Sequence, residues 1–413
     1  MIRIGIDVGG TNTDAVLMRD HTVEHAIKTA TTADVMSGVL AALNGVLDQA
    51  AIDRADVDVV MIGTTHFTNA VVQRKGLAPT AAVRLGLPAT ASLPPMVDWP
   101  EDLRAVIGGH HFLAHGGHEF DGREISPLDP EELRGIAHQI AELGISTIAV
   151  SSVFSPVNTD MEQRAADVLR EVLPDAAITL SSEIGRIGLL ERENAAIMNA
   201  CLQPLSRTTV QAFREALAQA GLAAPFFLTQ NDGTLMSADH AERFPVLTFA
   251  SGPTNSMRGA AFLSGIKDAV VVDVGGTTAD VGALQHGFPR EASVAVEVGG
   301  VRTNFRMPDV FSIGLGGGSH VERDPVRVGP TSVGYRLTEE ALVFGGSTLT
   351  ATDVAVAAGK ADIGDASKVA DLDPKLVEDA LGVMADLLDR ARSGRVAVEV
   401  IAVGADRECG GVE

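Results

Sequence analysis

Apolar positions alternate from the start of the chain. Ile4, Ile6 and Val8 take every second place, and a second apolar run, Ala15 to Met18, follows Gly9-Gly10-Thr11-Asn12-Thr13-Asp14. Alternation marks a half-buried strand, and a Gly-Gly pair between two such runs marks a hairpin. The tip carries Asp7 at the end of its first strand and Asp14 early in its second. One reading is a hairpin with a polar tip. The other is a phosphate-gripping hairpin, in which glycines Gly9 and Gly10 let backbone N–H groups approach an anion and Thr11, Asn12 and Thr13 add donors.

The same phrase returns near residue 270 as VVVDVGGTTADVGAL. Asp273-Val274-Gly275-Gly276-Thr277 repeats Asp7-Val8-Gly9-Gly10-Thr11, and Asp280 stands to Asp273 as Asp14 stands to Asp7. A duplicated domain could keep a hairpin for folding alone. Against that, an Asp at the end of an apolar strand is costly to bury unless it is paired or metal-bound. Two facing hairpins suit a nucleoside triphosphate. Backbone N–H groups and the Thr277 and Thr278 hydroxyls would meet the phosphates, and Asp7 and Asp273 would hold Mg²⁺ directly or through water. No G-x-x-x-x-G-K-[ST] is present and neither glycine pair opens a helix, so this is neither a Walker loop nor a dinucleotide fingerprint.

Between the repeats the pattern alternates strand and helix. Asp129-Pro130 starts a helix, Ile145–Val150 reads as a strand, Asn158–Leu173 as a helix and Ala177–Leu180 as a strand. This rhythm predicts an α/β architecture. Ala195–Ala220 reads as a helix broken or kinked at Pro204 that joins two lobes, which places the division within 182–200 and gives domains 1–190 and 191–413.

Composition narrows the partners. The net charge of −22 and an aromatic content of 4% argue against nucleic acid, which favours basic surface and stacking platforms. Apolar runs stop short of membrane-spanning length, and no charged leader precedes the first strand. Cys201 and Cys409 are the only cysteines, too few for a disulfide framework, so a reduced cytoplasm is expected.

The duplicated hairpin resembles that of the actin-like ATPase superfamily, and further stretches are similar to the hydantoinase A / oxoprolinase family. These are GTTHFTNAVVQRKG (63–76), LSSEIGRIGLLEREN (180–194), ASGPTNSMRGA (250–260) and DVFSIGLGGGSHV (309–321). The resemblance implies a bilobed, duplicated ribonuclease H-like fold with a central nucleotide cleft, ATP and Mg²⁺ as cofactors, and ATP-dependent activation of a cyclic amide or imide. Ring opening would fall to a separate B-type hydrolase subunit, and a homo-oligomer is expected. A small-molecule kinase, a carboxylase-type ATPase subunit and a nucleotide-driven reactivating module are the alternatives.

The remaining segments keep two readings each. Thr64, Thr65 and Asn69 cap a helix, or they face substrate in the cleft as the resemblance implies, with Gly252 of the S-G-P loop beside them. Gly316, Gly317 and Gly318 form a flexible turn, or let the backbone approach a nucleotide or a substrate. Arg74-Lys75 screens phosphate or is a solvated helix end. His110, His111, His115 and His118 lack a zinc spacing, and the flanking glycines predict a polar loop on the substrate side. Two stretches depart from the family. Thr254-Asn255-Ser256-Met257 replaces smaller residues. After the strand predicted at Val398–Val403, Ala405-Asp406-Arg407-Glu408 stands where a glycine turn would close over adenosine, which predicts weak nucleotide affinity.

Overall fold

The computed structural model describes residues 1–9, 12–30, 35–292, 295–392 and 400–404. The opening alternation builds β1 (Ile2–Val8) and β2 (Asn12–Arg19), followed by β3 (Thr22–Ala30). Then come α1 (Val35–Ala50), β4 (Val57–Thr64), α2 (His66–Gln73), β5 (Thr80–Leu87), α3 (Glu101–Val106) and β6 (His110–His115). The βα rhythm continues through α4 (Pro130–Glu142), β7 (Thr147–Ser152), α5 (Asp160–Val172), β8 (Ala177–Leu180) and α6 (Leu189–Gln219). Next are β9 (Phe226–Thr229), β10 (Leu235–Ser237), α7 (Ala238–Arg243) and α8 (Ser251–Ser264).

The chain divides into two compact units. The first comprises Met1–Gly252 with Ala292–Met307, the second Pro253–Glu291 with Pro308–Glu413. In the first unit one sheet has the order β10-β9-β4-β1-β2-β3, with β1–β2 and β2–β3 antiparallel and β1–β4 and β4–β9 parallel. Its inward side chains, Ile4, Ile6, Leu17, Val60 and Ile62, pack with α1 and α6 through Leu43 and Phe213. A second sheet, β6-β5-β7-β8, is parallel throughout. Asp129 caps α4 by accepting from the N–H groups of Glu131 and Glu132, and Leu133, Ile136, Ala137 and Ile140 form its buried face.

Three expectations are corrected here. Helix α6 runs unbroken through Pro204 and through position 190, and both its ends lie in the first unit, so it does not join the units. Its apolar stripe is held against β7 and β8, and this packing outweighs the cost of one interior proline. His110–His115 is an edge strand, not a loop, because β5 offers it a parallel ladder from Ala81 to Leu87. The predicted strand at Ile145–Val150 lies two residues further on, in register with β5 from Thr80.

Charges are buried inside this unit. The Arg84 guanidinium forks onto the Glu193 carboxylate, with Nε 2.7 Å from Oε2, and Ser151 donates to the same oxygen. Glu162 accepts from the Ser152 and Ser182 N–H groups and from the Ser181 and Ser182 hydroxyls, while Arg192 donates to Ser181 Oγ and to the Ser152 carbonyl. The stretch 180–194 therefore builds the interior. Removing one partner of a buried pair strands the other. Glu193→Ala is expected to lower the unfolding free energy by about 3–5 kcal/mol, and Arg84→Met in the same chain to recover most of it. Equal urea midpoints for Glu193→Ala and wild type would remove the pair from the fold's support.

The second unit is built from β11 (Ala269–Val274), β12 (Ala279–Gln285) and β13 (Phe288–Pro289). The chain then returns to the first unit as β14 (Val296–Val298) and β15 (Val301–Thr303), whose Val298 and Val301 join Trp99 and Phe249 in a core cluster. It re-enters the second unit with β16 (Val310–Ile313), β17 (Ser319–Arg323), β18 (Val326–Ser332), α9 (Leu337–Glu340), α10 (Ala351–Ala357), α11 (Pro374–Arg392) and β19 (Val400–Gly404). Here β16, β12, β11 and β19 repeat the pairing of β3, β2, β1 and β4: two antiparallel steps, then one parallel. The duplication read in the phrase D-V-G-G-T is thus a duplication of topology, and the fold is the α/β, repeated ribonuclease H-like architecture. Residue 400 begins the described part of the last strand, and Ala405–Glu408 lie outside the described residues. Among the described residues no helix is long and apolar enough to cross a membrane.

Candidate functional site

Each hairpin sets its two aspartates opposite one another. Asp7 pairs with Asp14 in the β1–β2 register, and Asp273 with Asp280 in the β11–β12 register. Facing carboxylates repel, and the two copies meet this differently. Lys28 on β3 is Asp14's register partner and its Nζ lies 3.1 Å from Oδ1. Asp280 accepts instead from the Ser312 hydroxyl on β16. Burial, and behind it the Asp273 charge, push the Asp280 carboxyl above the usual carboxylate range, against the Ser312 hydrogen bond.

The second turn is held from behind. Gly275 N–H donates to the Thr278 carbonyl at 2.9 Å, which leaves Gly276, Thr277 and Thr278 exposed at the tip. The glycine run packs against this turn: Gly317 N–H donates to the Gly275 carbonyl at 3.0 Å and Gly318 N–H to the Gly276 carbonyl at 2.7 Å. A Cβ on Gly316 would lie 2.6 Å from Gly275 O, Gly276 C and Thr277 N. Thr352 completes the support, its N–H and hydroxyl both donating to the Gly317 carbonyl. The run is therefore no flexible turn. Its glycines admit one backbone against another, and two of their N–H groups are spent on the hairpin.

In the first unit, Gly9 and Thr13 flank the first turn, and Thr13 is buried. Gly10, Thr11 and the Asn12 side chain lie outside the described residues. Parallel pairing brings Thr64 beside Val8 and Gly63 beside Asp7, at the carboxyl ends of β1 and β4, where open α/β sheets take their ligands. Thr65 N–H donates to the Val8 carbonyl at 3.4 Å. Thr64 is buried and its hydroxyl accepts from His66 N–H, so it serves the start of α2. Thr65 is the cap residue but makes no side-chain cap bond, and its hydroxyl accepts from Asn69 Nδ2 at 3.2 Å. Ser251 donates to the Thr64 carbonyl, and Gly252 lies against the Thr65 methyl. The structure thus gathers Thr64, Thr65, Asn69 and Gly252 at the end of the first hairpin's opening strand. Thr68, within the same stretch, went unread: its hydroxyl oxygen is buried and has no partner among the described residues. Burial also holds the His66 imidazole below its usual range.

Arg74, His115 and His118 make structural contacts. Arg74 takes the left-handed cap of α2, pairs with Asp102 at 2.9 Å and donates to the Gly299 carbonyl. His115 pairs with Glu132, and His118 is buried with Nε2 3.2 Å from Asn158. Among the described residues no group of three or more His, Cys, Asp or Glu could hold a metal. A Mg²⁺ site needs fewer, since that ion keeps several waters and binds through one or two carboxylates plus substrate phosphates. The oxygen donors of the hairpin aspartates fit it.

Residues 3–173 match the hydantoinase/oxoprolinase N-terminal region, and residues 192–407 match hydantoinase/oxoprolinase. The chain is 28% identical over 387 residues to the caprolactamase subunit alpha of Pseudomonas jessenii, covering 86% of this chain and 54% of that one. It is 28% identical over 400 residues to the acetophenone carboxylase gamma subunit of Aromatoleum aromaticum, covering 86% and 53%. The crystal structure of the ATP-dependent caprolactamase from Pseudomonas jessenii shares the fold, with a TM-score of 0.77 at 24% identity over 95% of this chain and 62% of that one. The chain spans about half the length of the curated relatives it matches.

Proposed function

Because this chain belongs to the hydantoinase/oxoprolinase family, we propose that it is the ATP-using part of an enzyme that activates a cyclic amide or imide such as a hydantoin, an oxoproline or a lactam. The observation that carries this reading is the hairpin with two facing aspartates, Asp7 with Asp14 and Asp273 with Asp280, placed twice at the same point of a repeated sheet. Such turns supply positioning and charge neutralisation, which are the main demands of phosphoryl transfer.

A ring amide carbonyl is a poor electrophile. Its oxygen attacks the γ-phosphorus, the bond from that phosphorus to the β,γ-bridging oxygen breaks, and ADP leaves. Water adds to the carbon of the resulting imidate phosphate, the ring C–N bond breaks with the nitrogen taking a proton, and a second water hydrolyses the acyl phosphate so formed to carboxylate and inorganic phosphate. The attacking carbonyl oxygen carries no proton, so this chain needs no general base at that atom; the ring N–H, made acidic by O-phosphorylation, gives its proton to water. Backbone N–H groups at Gly9, Gly10 and Gly276, with Thr11, Asn12, Thr13, Thr277 and Thr278, are assigned to the phosphate oxygens, and the Gly275 N–H closes the second turn behind them. Asp7 and Asp273 are assigned to Mg²⁺, which when bound neutralises phosphate charge. Gly316, Gly317 and Gly318 hold the second turn in place. Thr64, Thr65, Asn69 and Gly252 are assigned to the substrate side. Water attack is assigned to a separate B-type subunit, in keeping with relatives that are named as subunits.

A second reading, an ATPase subunit of a carboxylase, is favoured by the equal identity to the acetophenone carboxylase gamma subunit. The test measures ADP release and ring-opened product over hydantoins, lactams and ketones with bicarbonate, with and without the candidate partner. Ring-dependent ADP release, and ring opening only with the partner, is the expected result. Turnover confined to ketone plus bicarbonate would replace it with the carboxylase reading. Ring opening by this chain alone would overturn the division of labour.

A further inference from the structure

Each aspartate pair continues into a third strand. In the first unit the row is Asp7 on β1, Asp14 on β2 and Lys28 on β3, each the register partner of the next. In the second it is Asp273 on β11, Asp280 on β12 and Ser312 on β16. The third place holds an ammonium in one copy and a hydroxyl in the other. Lys28 reaches Asp14 at 3.1 Å and offsets one of the two carboxylates. Ser312 donates a hydrogen bond to Asp280 but adds no charge. Among the described residues neither Asp273 nor Asp280 forms an ion pair, whereas Asp14 does. The topologies match, so this difference lies in the side chains and not in the frame.

We infer that Lys28 and Ser312 sort the two hairpins: the divalent cation takes its direct carboxylate ligands from the Asp273–Asp280 row, and the Asp7–Asp14 row, its second carboxylate already held by Lys28, reaches the cation only through its water. The second row carries two negative charges with no built-in cation. A divalent ion relieves that repulsion and takes oxygen ligands. In the first row a divalent ion would have to compete with Lys28 for Asp14. This inference rests on the reading of the hairpins as the ATP and Mg²⁺ elements, and deepens it by dividing their work.

Lys28 and Ser312 are both exposed, so exchanging them leaves the core untouched. The experiment titrates Mn²⁺ against wild type, Ser312→Lys, Lys28→Ser and Asp273→Asn, with and without ADP, reading free Mn²⁺ by electron paramagnetic resonance. Melting temperatures confirm folding. A lysine at 312 has the register that lets Lys28 reach Asp14, so Ser312→Lys is expected to weaken Mn²⁺ binding by about tenfold or more, the effect of one charge placed a few ångströms away. Lys28→Ser is expected to leave the site at the Asp273–Asp280 row within about threefold and to open a further Mn²⁺ site at the Asp7–Asp14 row, now free of its competing ammonium. The inference is overturned if Ser312→Lys binds Mn²⁺ as wild type does, or if Lys28→Ser loses as much. If Ser312→Lys fails to fold, the Lys28→Ser arm still decides, since a loss there contradicts the assignment. Asp273→Asn separates the two levels. Unchanged Mn²⁺ affinity in that variant removes the underlying metal reading. Its loss beside an unaffected Ser312→Lys removes this inference alone.

Discussion

Asp273→Asn is expected to cut ATP turnover by on the order of 10²–10³-fold or more, the scale set by losing one preorganised group that stabilises transition-state charge. The substitution keeps the side chain's shape and removes its charge. In the fold it should be neutral or mildly stabilising, because Asp273 directly faces Asp280 and its charge is one of the causes that lift the Asp280 carboxyl. A structural residue behaves the other way, with stability and activity falling together. Asp7→Asn should show the same split, since Lys28 still holds Asp14. Turnover is measured with the partner and ring substrate present, stability by thermal melting of the same preparations. Near-normal turnover in both variants would end the assignment of the paired hairpins to phosphoryl transfer.

What the sequence made legible is what repeats or alternates. The apolar alternation of Ile4, Ile6 and Val8 and the return of D-V-G-G-T at Asp273 lie in plain order along the chain, and both become hairpins. The third strand did not declare itself. Lys28 lies 14 residues after Asp14, whereas Ser312 lies 32 after Asp280, because the chain makes its excursion through β14 and β15 in between. No spacing rule connects the two, and only the register shows that they hold equivalent places. Arg84 and Glu193 are 109 residues apart, and their pairing follows from the parallel sheet and α6 rather than from local pattern. His110–His115 failed for a related reason. Histidines flanked by glycines carry weak strand propensity, and the ladder of β5 decided the outcome. The return of Ala292–Met307 to the first unit likewise leaves no mark in composition, since it is fixed by where Val298, Val301 and Phe305 find apolar neighbours.

The glycine run 316–318 is where the sequence offered two uses and the structure supplied a third, and it gives the other large effect. Gly316→Ala adds one methyl group that would sit 2.6 Å from three backbone atoms of the second turn. Backbone cannot rotate away as a side chain does, so the turn itself must move. Overpacking of this kind costs about 1–3 kcal/mol, and a displacement on the order of 1 Å at a phosphate-positioning element costs about 10²-fold in rate. Gly317→Ala should be milder, because its new methyl meets the Thr352 hydroxyl, which can turn aside. Gly135→Ala serves as the control: nothing lies within 4 Å and the site is inside α4, where alanine is favoured over glycine. The expected order of lost turnover is therefore Gly316→Ala, then Gly317→Ala, with Gly135→Ala unaffected. Hydrogen exchange without nucleotide distinguishes the cause. Faster exchange at Gly275–Thr278 in Gly316→Ala marks a turn that has lost its support. Unchanged exchange there, together with lost nucleotide affinity, would mean that the glycines touch the nucleotide themselves and that the turn stands without them.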